Sequence, residues 1–181
     1  MQHESQVQEI VARAQQGDQE GVAELFHLFG DRVFRFLLMR VSSQETAEDL
    51  TQTVFLEMIR SLPRYKEQKH AKFSTWLFQI ARFRLIDHYR GQRTQVDIES
   101  VSHTLSSDPD EMPDVIMERE MESALTRLPE RYATLLHMLY REDLSISEVA
   151  KVMQISALNV RVLKHRALQA LRKEMEQLSY S

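Results

Sequence analysis

The stretch SISEVAKVMQISALNVRVLKHRALQALRK, residues 145–173, contains the pattern that decides the fold of this chain. Ser145 is followed three residues later by Glu148, a capping box that marks the start of a helix. Apolar residues recur at helical spacing until a turn near Gln154, and Ser156 can cap a second, longer helix. A short capped helix, a tight turn and a longer helix predict a helix-turn-helix.

The second helix of this motif has an apolar face and a basic face. The apolar stripe is predicted to run from Val160 to Leu171. Residues 155–173 contain five cations and no acid, a composition that fits the major groove of duplex DNA. A plain helical hairpin with a solvated charged face has the same spacing, so spacing alone leaves both interpretations open. The residues predicted to face outward are Leu158, Arg161, Val162, His165, Arg166, Gln169, Arg172 and Lys173.

The composition of the whole chain favours helices and excludes several classes of protein. Gly and Pro number only four each in 181 residues, whereas hairpins and sandwiches need frequent turn residues. The absence of cysteine excludes disulfides and thiolate metal sites and fits a reducing compartment. No apolar run approaches ~18 residues and the N-terminus lacks a signal-peptide pattern. We therefore expect a cytoplasmic protein without membrane insertion.

The acidic residues are concentrated in the middle of the chain. The total is 27 Asp and Glu against 23 Lys and Arg, a formal charge of −4. Residues 94–114 contain six acids, two prolines and no cation. This composition predicts a flexible acidic linker. It would separate two helical domains, at residues 1–93 and 115–181.

Turn and cap residues predict several helix boundaries in the N-terminal domain. Gly17 and Gly30, each followed by Asp, are expected to interrupt the first two helical runs. One of the two serines at 42–43 is expected to cap the next helix. Ser74 is expected to cap a further helix, and Gly91 to end it.

Two of the predicted helices have faces that packing alone explains incompletely. In FSTWLFQIARFRLIDHYR, residues 73–90, aromatic rings alternate with arginines, which suits unpaired bases, although a core stripe also contains aromatics. In TAEDLTQTVFLEMIR, residues 46–60, the buried stripe is predicted to run from Ala47 to Met58. Further apolar side chains widen this helix beyond one face, which indicates either a partner or burial within its own domain. These residues are Phe55, Leu56 and Ile59.

Together these stretches resemble the extracytoplasmic-function (ECF) sigma factors, a group of small bacterial RNA polymerase initiation factors. The resemblance covers roughly residues 8–92 and 115–175. It implies an all-α chain of two small helical domains, a sigma region 2 bundle at 1–93 and a sigma region 4 helix-turn-helix at 115–181. The linker at 94–114 would thread the polymerase, with its acids in place of RNA. A protein of this kind has no catalytic residues and no cofactor.

The resemblance also implies a role for each stretch of the sequence. Core RNA polymerase would be contacted through the clamp helices of its largest subunit by Asp49, Gln52, Thr53 and Phe55. The minus-ten promoter element, captured and opened as single strands, would meet Lys69, His70, Ala71, Lys72, Phe73, Trp76, Arg82, Phe83 and Asp87. The minus-thirty-five duplex would meet Ser156, Asn159, Arg161, Val162, Lys164, His165, Arg166 and Lys173. An anti-sigma factor is the expected regulatory partner.

The chain departs from the pattern of this family at several positions. Phe83 stands where Asn is frequent, and Thr53 stands where Glu is frequent. Val162 and Leu163 replace a common Ser and Arg on the recognition helix. These changes bear on base preference and polymerase contact, not on the fold.

Two other functions are compatible with parts of the sequence. A stand-alone helix-turn-helix regulator would use its first domain to sense a ligand or to dimerise, and would bind duplex DNA tightly without polymerase. A hydrolase would need a site such as Glu24, His27 and Asp31, which share a helix face at the spacing of a weak metal site. No second cluster in the sequence completes such a site.

Overall fold

The computed structural model describes residues 2–41, 43–66, 72–93, 121 and 123–179. No strand is present in these residues, and the predicted all-α fold is confirmed. The linker predicted at 94–114 lies outside them. The helices are α1 Gln2–Gln15, α2 Gln19–Leu38, α3 Gln44–Ser61, a 3₁₀ turn Leu62–Arg64, α4 Phe73–Arg93, α5 Glu130–Tyr140, α6 Ile146–Met153 and α7 Ala157–Ser179.

Two of the predicted helix boundaries in the N-terminal domain are confirmed. Gly17 forms the turn between α1 and α2 with φ of +89°, a conformation that favours glycine. Asp18 then caps α2 by accepting from the backbone N–H of Glu20 at 3.0 Å. Ser43 caps α3 in the same way, because its hydroxyl accepts from the N–H of Thr46 at 3.1 Å.

Three other predicted boundaries are wrong, each because a glycine or serine lies inside a helix that continues. Gly30 is buried within α2, and the helix passes through it because the residues on both sides bury apolar side chains. Ser74 is the second residue of α4 and is itself buried. Gly91 is exposed within α4, which extends to Arg93. A single glycine costs a helix only about 1 kcal/mol, which tertiary packing outweighs.

The helices α1 to α4 form a bundle around a common apolar core. The rings of Phe36 on α2 and Phe78 on α4 meet edge to face with their centroids 5.4 Å apart. Gln15, at the end of α1, donates to the carbonyls of Leu62 and Tyr65 at 2.9 and 2.8 Å and so fastens the turn after α3. The largest side chains that are less than 2% exposed in this bundle are Leu25, Val33, Phe36, Leu37, Val54, Met58, Leu62, Leu77, Phe78 and Leu85.

The helices α5, α6 and α7 form the predicted helix-turn-helix domain. The capping box between Ser145 and Glu148 is present. The turn between α6 and α7 passes through Gln154 with φ of 56°, and Ser156 then accepts from the N–H of Asn159 at 3.1 Å. The apolar residues of these three helices that are less than 2% exposed are Leu135, Met138, Val149, Val152, Val160 and Ala167.

The two domains pack directly against each other, which the sequence did not predict. Helix α6 lies along α4, and α5 lies against the end of α2. The ring of Phe36 meets the imidazole of His137 at 5.4 Å between centroids, so the buried cores of the two domains are continuous. No helix within the described ranges is long and apolar enough to cross a membrane.

Candidate nucleic-acid interface

The outer face of α7 is an exposed basic surface. Arg161, Arg166 and Lys173 are exposed and form no ion pair with any residue that the structure describes. Leu158 and Val162 on the same face are 67% and 44% exposed. Side chains that pack into their own domain do not have this exposure. The face can therefore meet phosphates and base edges without breaking an internal contact.

The opposite face of α7 holds this surface in place. Val160, Leu163 and Ala167 are buried against the rest of the domain, as the spacing predicts. Lys164 lies at the edge between the two faces, with its Nζ 5.2 Å from the ring centroid of Tyr140. Lys164 therefore makes a cation–π contact within its own domain. Ser156, Asn159 and His165 are exposed with the basic face.

The N-terminal end of α4 is packed more tightly than the sequence predicts. Phe73 was expected in a base-capturing loop. It is instead the first residue of α4 and is only 4% exposed. Its ring packs near Phe29 and Tyr65, at 5.4 and 5.6 Å between centroids. Trp76 is half-buried, with its ring 4.6 Å from Tyr65. The predicted loop residues Lys69, His70 and Ala71 lie outside the described residues.

The remaining predicted strand-binding residues of α4 lie on two sides of the helix. Phe83 is 40% exposed and Asp87 is exposed, and both point to the same side of α4 as Trp76. Arg84 bridges Asp87 at 3.4 Å and Glu57 at 4.0 Å. The other side of α4 faces α6.

Helix α6 covers the side of α4 that contains Thr75, Gln79 and Arg82. Gln79 donates to the carbonyl of Lys151 at 3.1 Å, and Arg82 lies 3.5 Å from the carbonyl of Val152. Burial lowers the pKa of Arg82, and nearby Glu130 opposes that shift. Arg82 is therefore partly covered by α6 in this arrangement.

Glu148 is the most heavily bonded carboxylate at this contact. It is 5% exposed, accepts from Ser145 within its own domain, and accepts from the hydroxyl of Thr75 at 2.9 Å across the contact. Burial by itself would raise the pKa of Glu148. The hydrogen bonds from Ser145, Thr75 and Lys72 outweigh burial and lower the pKa, so the carboxylate is ionised at neutral pH.

The outer face of α3 combines polar and apolar side chains. Glu48, Asp49, Gln52 and Thr53 are exposed, as predicted. Phe55 is buried, with its ring 4.8 Å from that of Phe26. The exposed apolar part of this surface is formed instead by Phe26, Leu56 and Ile59, which are 48, 56 and 43% exposed. A concavity of about 550 Å³ between α2 and α3 adjoins this surface and is lined in part by Phe26, Glu48 and Gln52.

A second buried polar cluster joins the domains where α2 meets α5. Arg40 is buried and donates to the hydroxyl of Thr134 at 2.7 Å, with its guanidinium carbon 4.2 Å from the ring centroid of Phe36. Burial lowers the pKa of Arg40 to about 10, so the side chain stays charged at neutral pH. Sequence reasoning missed this cluster, because an arginine or a threonine in an amphipathic helix does not indicate its partner in another domain.

Glu142 and His137 extend this cluster. Glu142 accepts from Arg32 at 2.8 Å and lies 3.2 Å from the Nε2 atom of His137. Burial lowers the pKa of His137 although the bond to Glu142 opposes the shift, so the ring is neutral at pH 7. Burial alone would raise the pKa of Glu142, but the hydrogen bonds from His137 and Arg32 lower it.

The metal site considered for Glu24, His27 and Asp31 is not assembled. Glu24 accepts a hydrogen bond from Arg13, and Asp31 lies 3.7 Å from Arg35. His27 is exposed. The described residues contain no cluster of three or more His, Asp or Glu that could hold a metal ion.

Comparison with known protein families decides between the interpretations of this architecture. Residues 25–95 match the family described as sigma-70 region 2, and residues 124–173 match sigma-70 region 4. The chain is also 30% identical over 175 residues to the ECF RNA polymerase sigma factor SigD of Mycobacterium tuberculosis, covering 92% of this chain and 82% of the relative. The chain belongs to the ECF group of the sigma-70 family.

Other ECF sigma factors are similar over most of this chain. It is 23% identical over 188 residues to SigW of Bacillus subtilis, covering 97% of this chain and all of the relative. It is 28% identical over 172 residues to BldN of Streptomyces coelicolor, covering 92% of this chain and 65% of that relative. This chain thus spans just under two thirds of the length of BldN.

Solved structures with the same fold include a sigma factor bound to another protein. The structure of RpoE in complex with the anti-sigma factor NepR from Bartonella quintana superimposes with a TM-score of 0.70. It is 18% identical and covers 85% of this chain and 96% of that chain. The structure of CnrH in complex with the cytosolic domain of CnrY has a TM-score of 0.69 at 18% identity, covering 93 and 96% of the two chains. At this identity the likeness shows the fold.

Membership of the ECF group settles the class of protein. Sigma factors are transcription initiation factors and not enzymes, so the hydrolase considered from Glu24, His27 and Asp31 is not a function of this ECF sigma factor. The basic face of α7 belongs to region 4, and the covered helix α4 belongs to region 2.

Proposed function

We propose that this sigma factor binds core RNA polymerase, reads a minus-thirty-five duplex with α7, and opens the minus-ten element with α4 and the loop before it. The observation that carries this proposal is the exposed face of α7. Arg161, Arg166 and Lys173 lie there without ion pairs to the described residues, on the second helix of a helix-turn-helix. A surface of this charge binds DNA mainly by displacing counterions from phosphates.

The proposed minus-thirty-five contacts divide by position on α7. Arg161, Val162, His165 and Arg166 lie where the N-terminal half of a recognition helix meets base edges. Lys173 lies nearer the C-terminal end and contacts phosphate in this proposal. Ser156, Asn159 and Lys164 support the helix at the edge of the groove.

The proposed polymerase surface is the outer face of α3. Asp49, Gln52 and Thr53 supply exposed polar groups, and Leu56 adds exposed apolar area that nothing described in the chain covers. The buried ring of Phe55 packs against the exposed ring of Phe26 and so holds Phe26 at this face. An apolar centre with a polar rim is typical of a protein interface. We propose that its partner is the clamp-helix region of the largest polymerase subunit.

The proposed minus-ten surface combines α4 with the loop that precedes it. In this proposal Lys69, His70, Ala71 and Lys72 hold a flipped base, and Phe73 supports them from the core. Along the open strand, the proposed contacts are Trp76, Arg82, Phe83 and Asp87. Exposed Phe83 and half-buried Trp76 share one side of α4, where rings can stack on unpaired bases.

The acidic linker and a regulatory partner complete the proposed function. Residues 94–114 carry six acids and no cation, a charge that suits the path of nascent RNA through the polymerase. We also propose that an anti-sigma factor binds this chain. The structural relative that is solved in complex with the anti-sigma factor NepR supports this proposal through its shared fold.

The test of the proposed function is run-off transcription on genomic fragments with core polymerase, with and without this protein. We expect defined transcripts only in the presence of both. A protein that shifts promoter duplex tightly without polymerase and adds no transcripts would be a stand-alone regulator. The matched control is the double variant Arg161→Ala, Arg166→Ala, which retains the α3 surface and should still bind core polymerase but yield no transcripts that depend on the minus-thirty-five element.

A further inference from the structure

A cavity of about 460 Å³ lies between the two domains, where the end of α2 faces α5. One wall comes from the end of α2 and the first residue of α3. The other wall comes from α5, the two residues that follow it and the helical stretch at 123–127. The volume falls within the range of roughly 300–1,000 Å³ that is typical of sites for small molecules.

The wall of this cavity carries an excess of positive charge, because three arginines and one carboxylate line it. Arg32 donates to that carboxylate, Glu142, at 2.8 Å. The side chain of Arg35 is 64% exposed and lies 3.7 Å from Asp31, a surface pair that contributes little in water. Arg141 is exposed as well. The solvent end of the cavity therefore presents guanidinium groups, which bind carboxylates and phosphates.

The same cavity has an apolar part. Leu38 and Met39 line it and are half-buried. Leucine offers apolar surface, and the unbranched side chain of methionine adapts its shape to what it contacts. Apolar side chains combined with a few polar groups are typical of a small-molecule site. A matching ligand therefore needs an apolar body in addition to its anionic group.

His137 supplies an unused hydrogen-bond acceptor at the buried end of the cavity. Its side chain is 3% exposed, and its Nε2 lies 3.2 Å from Oε1 of Glu142. Because Glu142 is ionised and the imidazole is neutral, Nε2 carries the proton and Nδ1 is an acceptor. The Nδ1 atom has no hydrogen-bond partner among the residues that the structure describes. A buried acceptor without a partner is costly, and the hydroxyl of a ligand can satisfy it.

We propose that this cavity binds a small organic anion that has an apolar body and a hydroxyl group remote from its charge. The anionic group pairs with Arg35 and Arg141, the body lies against Leu38 and Met39, and the hydroxyl donates to Nδ1 of His137. Because both domains form the wall, binding favours their packed arrangement. The cavity shares no lining residue with the DNA and polymerase surfaces of the proposed function, and the inference does not depend on them.

The probe for this site is ω-hydroxydecanoate, and isothermal titration calorimetry on the full chain measures its affinity. Decanoate lacks only the hydroxyl, and the corresponding α,ω-diol lacks only the charge. We expect saturable binding of one hydroxy acid per chain. Decanoate should bind several-fold more weakly and the diol about tenfold more weakly, because charge-assisted contacts are the stronger ones. The midpoint of thermal unfolding should rise with the concentration of the hydroxy acid.

Two variants test the charge and the volume of the cavity separately. Arg35→Gln removes one guanidinium group and should weaken binding of the hydroxy acid about tenfold. Arg60→Gln is the matched control, because Arg60 is exposed on α3 outside the cavity, and it should leave the affinity unchanged. Leu38→Trp fills the cavity and should abolish binding, with circular dichroism as the check on folding. Equal affinities of the parent and Arg35→Gln would overturn the inference.

Nuclear magnetic resonance of labelled methionine methyl groups locates the probe. Met39 lines the cavity, Met58 is buried in the core of the N-terminal bundle, and Met175 lies on the basic helix α7. The methyl resonance of Met39 should shift during the titration, whereas those of Met58 and Met175 should not. A shift at Met175 alone would mean that the anion binds the basic face of α7, and would overturn the inference.

Two further results would also contradict the proposed site. An absence of saturable binding of the hydroxy acid would show that the cavity is not a site for this class of ligand. Equal affinities for the hydroxy acid and decanoate would overturn the role assigned to His137. All of these measurements are made without polymerase or DNA. A failure here is therefore distinguishable from a failure of the proposed function, which run-off transcription tests.

Discussion

Arg40, two residues beyond the end of α2, donates its Nε–H to the hydroxyl of Thr134 of α5 at 2.7 Å, a bond between residues 94 positions apart in the chain. Both residues are buried. A buried charge is tolerated only when polar groups compensate for lost water, and here a hydroxyl of the second domain supplies part of that compensation. The free energy of unfolding of the N-terminal bundle is therefore coupled to the presence of the C-terminal domain.

Replacement of Thr134 by valine tests this coupling. Thr134→Val keeps the shape of the side chain but leaves Arg40 without this acceptor, and we expect a loss of about 1–3 kcal/mol in the free energy of unfolding. Urea denaturation measures the loss. Thr126→Val is the control, because Thr126 is exposed and should change stability by no more than about 0.5 kcal/mol. Equal effects of the two substitutions would contradict a stabilising role for the bond.

The stability of the protein should fall on mild acidification because of His137. Burial lowers the pKa of His137 below 6.5, against the opposing influence of Glu142 and with Arg40 and Arg141 nearby. Below pH 6.5 the unfolded chain therefore binds a proton that the folded chain does not. The free energy of unfolding should decrease by up to about 1.4 kcal/mol per pH unit until the pH reaches the folded pKa.

The measurement is urea denaturation at pH 7.5 and pH 5.5 for the parent and for His137→Gln. Glutamine can still donate to Glu142 but does not titrate, so the variant should lose less stability than the parent between the two pH values. His27→Gln, at an exposed position, is the control and should behave as the parent does. An unchanged pH dependence in His137→Gln would show that this histidine is not the group responsible.

Charge reversal at Asp49 tests the proposed polymerase surface. Asp49→Lys changes an exposed residue of α3, so we expect the circular dichroism spectrum to be unchanged and stability to shift by no more than about 0.5 kcal/mol. Binding to core polymerase should weaken at least tenfold if this face is the interface, by an order-of-magnitude expectation for a reversed interface charge. Glu9→Lys makes the same charge change at an exposed site of α1 and should leave the affinity unchanged. Unaltered affinity in Asp49→Lys would place the interface elsewhere.

Alanine substitutions on α7 distinguish base contact from phosphate contact. In holoenzyme, Arg166→Ala should cost about 1–3 kcal/mol of promoter binding and relax the preference at one base pair. Lys173→Ala should weaken all sequences to a similar extent and reduce the salt slope by about one. Promoter binding across a salt series, on matched and mismatched duplexes, gives both quantities. Equal losses that do not depend on sequence would mean that Arg166 contacts phosphate.

Limited proteolysis tests the predicted linker together with the contact between domains. We expect cleavage within residues 94–114, because the segment is polar, acidic and contains prolines. The two helical fragments should nevertheless elute together in gel filtration, because α4 packs on α6 and α2 on α5. Fragments that elute apart in the parent would contradict the packing of the two domains on each other.

Much of the local structure could be predicted because it depends on residues close in the chain. Ser43 and Ser145 cap their helices as expected, since a hydroxyl needs only the N–H groups of the next turn. The buried stripe of α7 from Val160 to Ala167 follows from helical periodicity. The prediction that Gly30 interrupts a helix was wrong, because it considered one residue without the packing of the residues around it. A glycine ends a helix only when the flanking residues do not bury apolar surface, and those of α2 do.

The candidate site was predictable only in part. The exposure of Arg166 follows from its place opposite an apolar stripe, a property of one helix. The burial of Phe73 and the partial covering of Arg82 could not be predicted in this way. Phe73 is buried by rings from other parts of the bundle, and Arg82 is covered by α6. Phe55 was expected at a partner surface and is buried because the ring of Phe26 lies over it.

The sequence by itself determined the all-α fold, the caps at Ser43 and Ser145, the helix-turn-helix and the family of this protein. These properties arise from periodicity and from bonds that span three or four residues. Only the tertiary structure decided that Glu148 accepts a hydrogen bond from Thr75 of α4 as well as capping α6, and that the buried Arg40 donates to Thr134. Contacts across 73 and 94 residues leave no periodic signal, because a polar residue on a helix face has the same pattern whether water or a second domain is its partner.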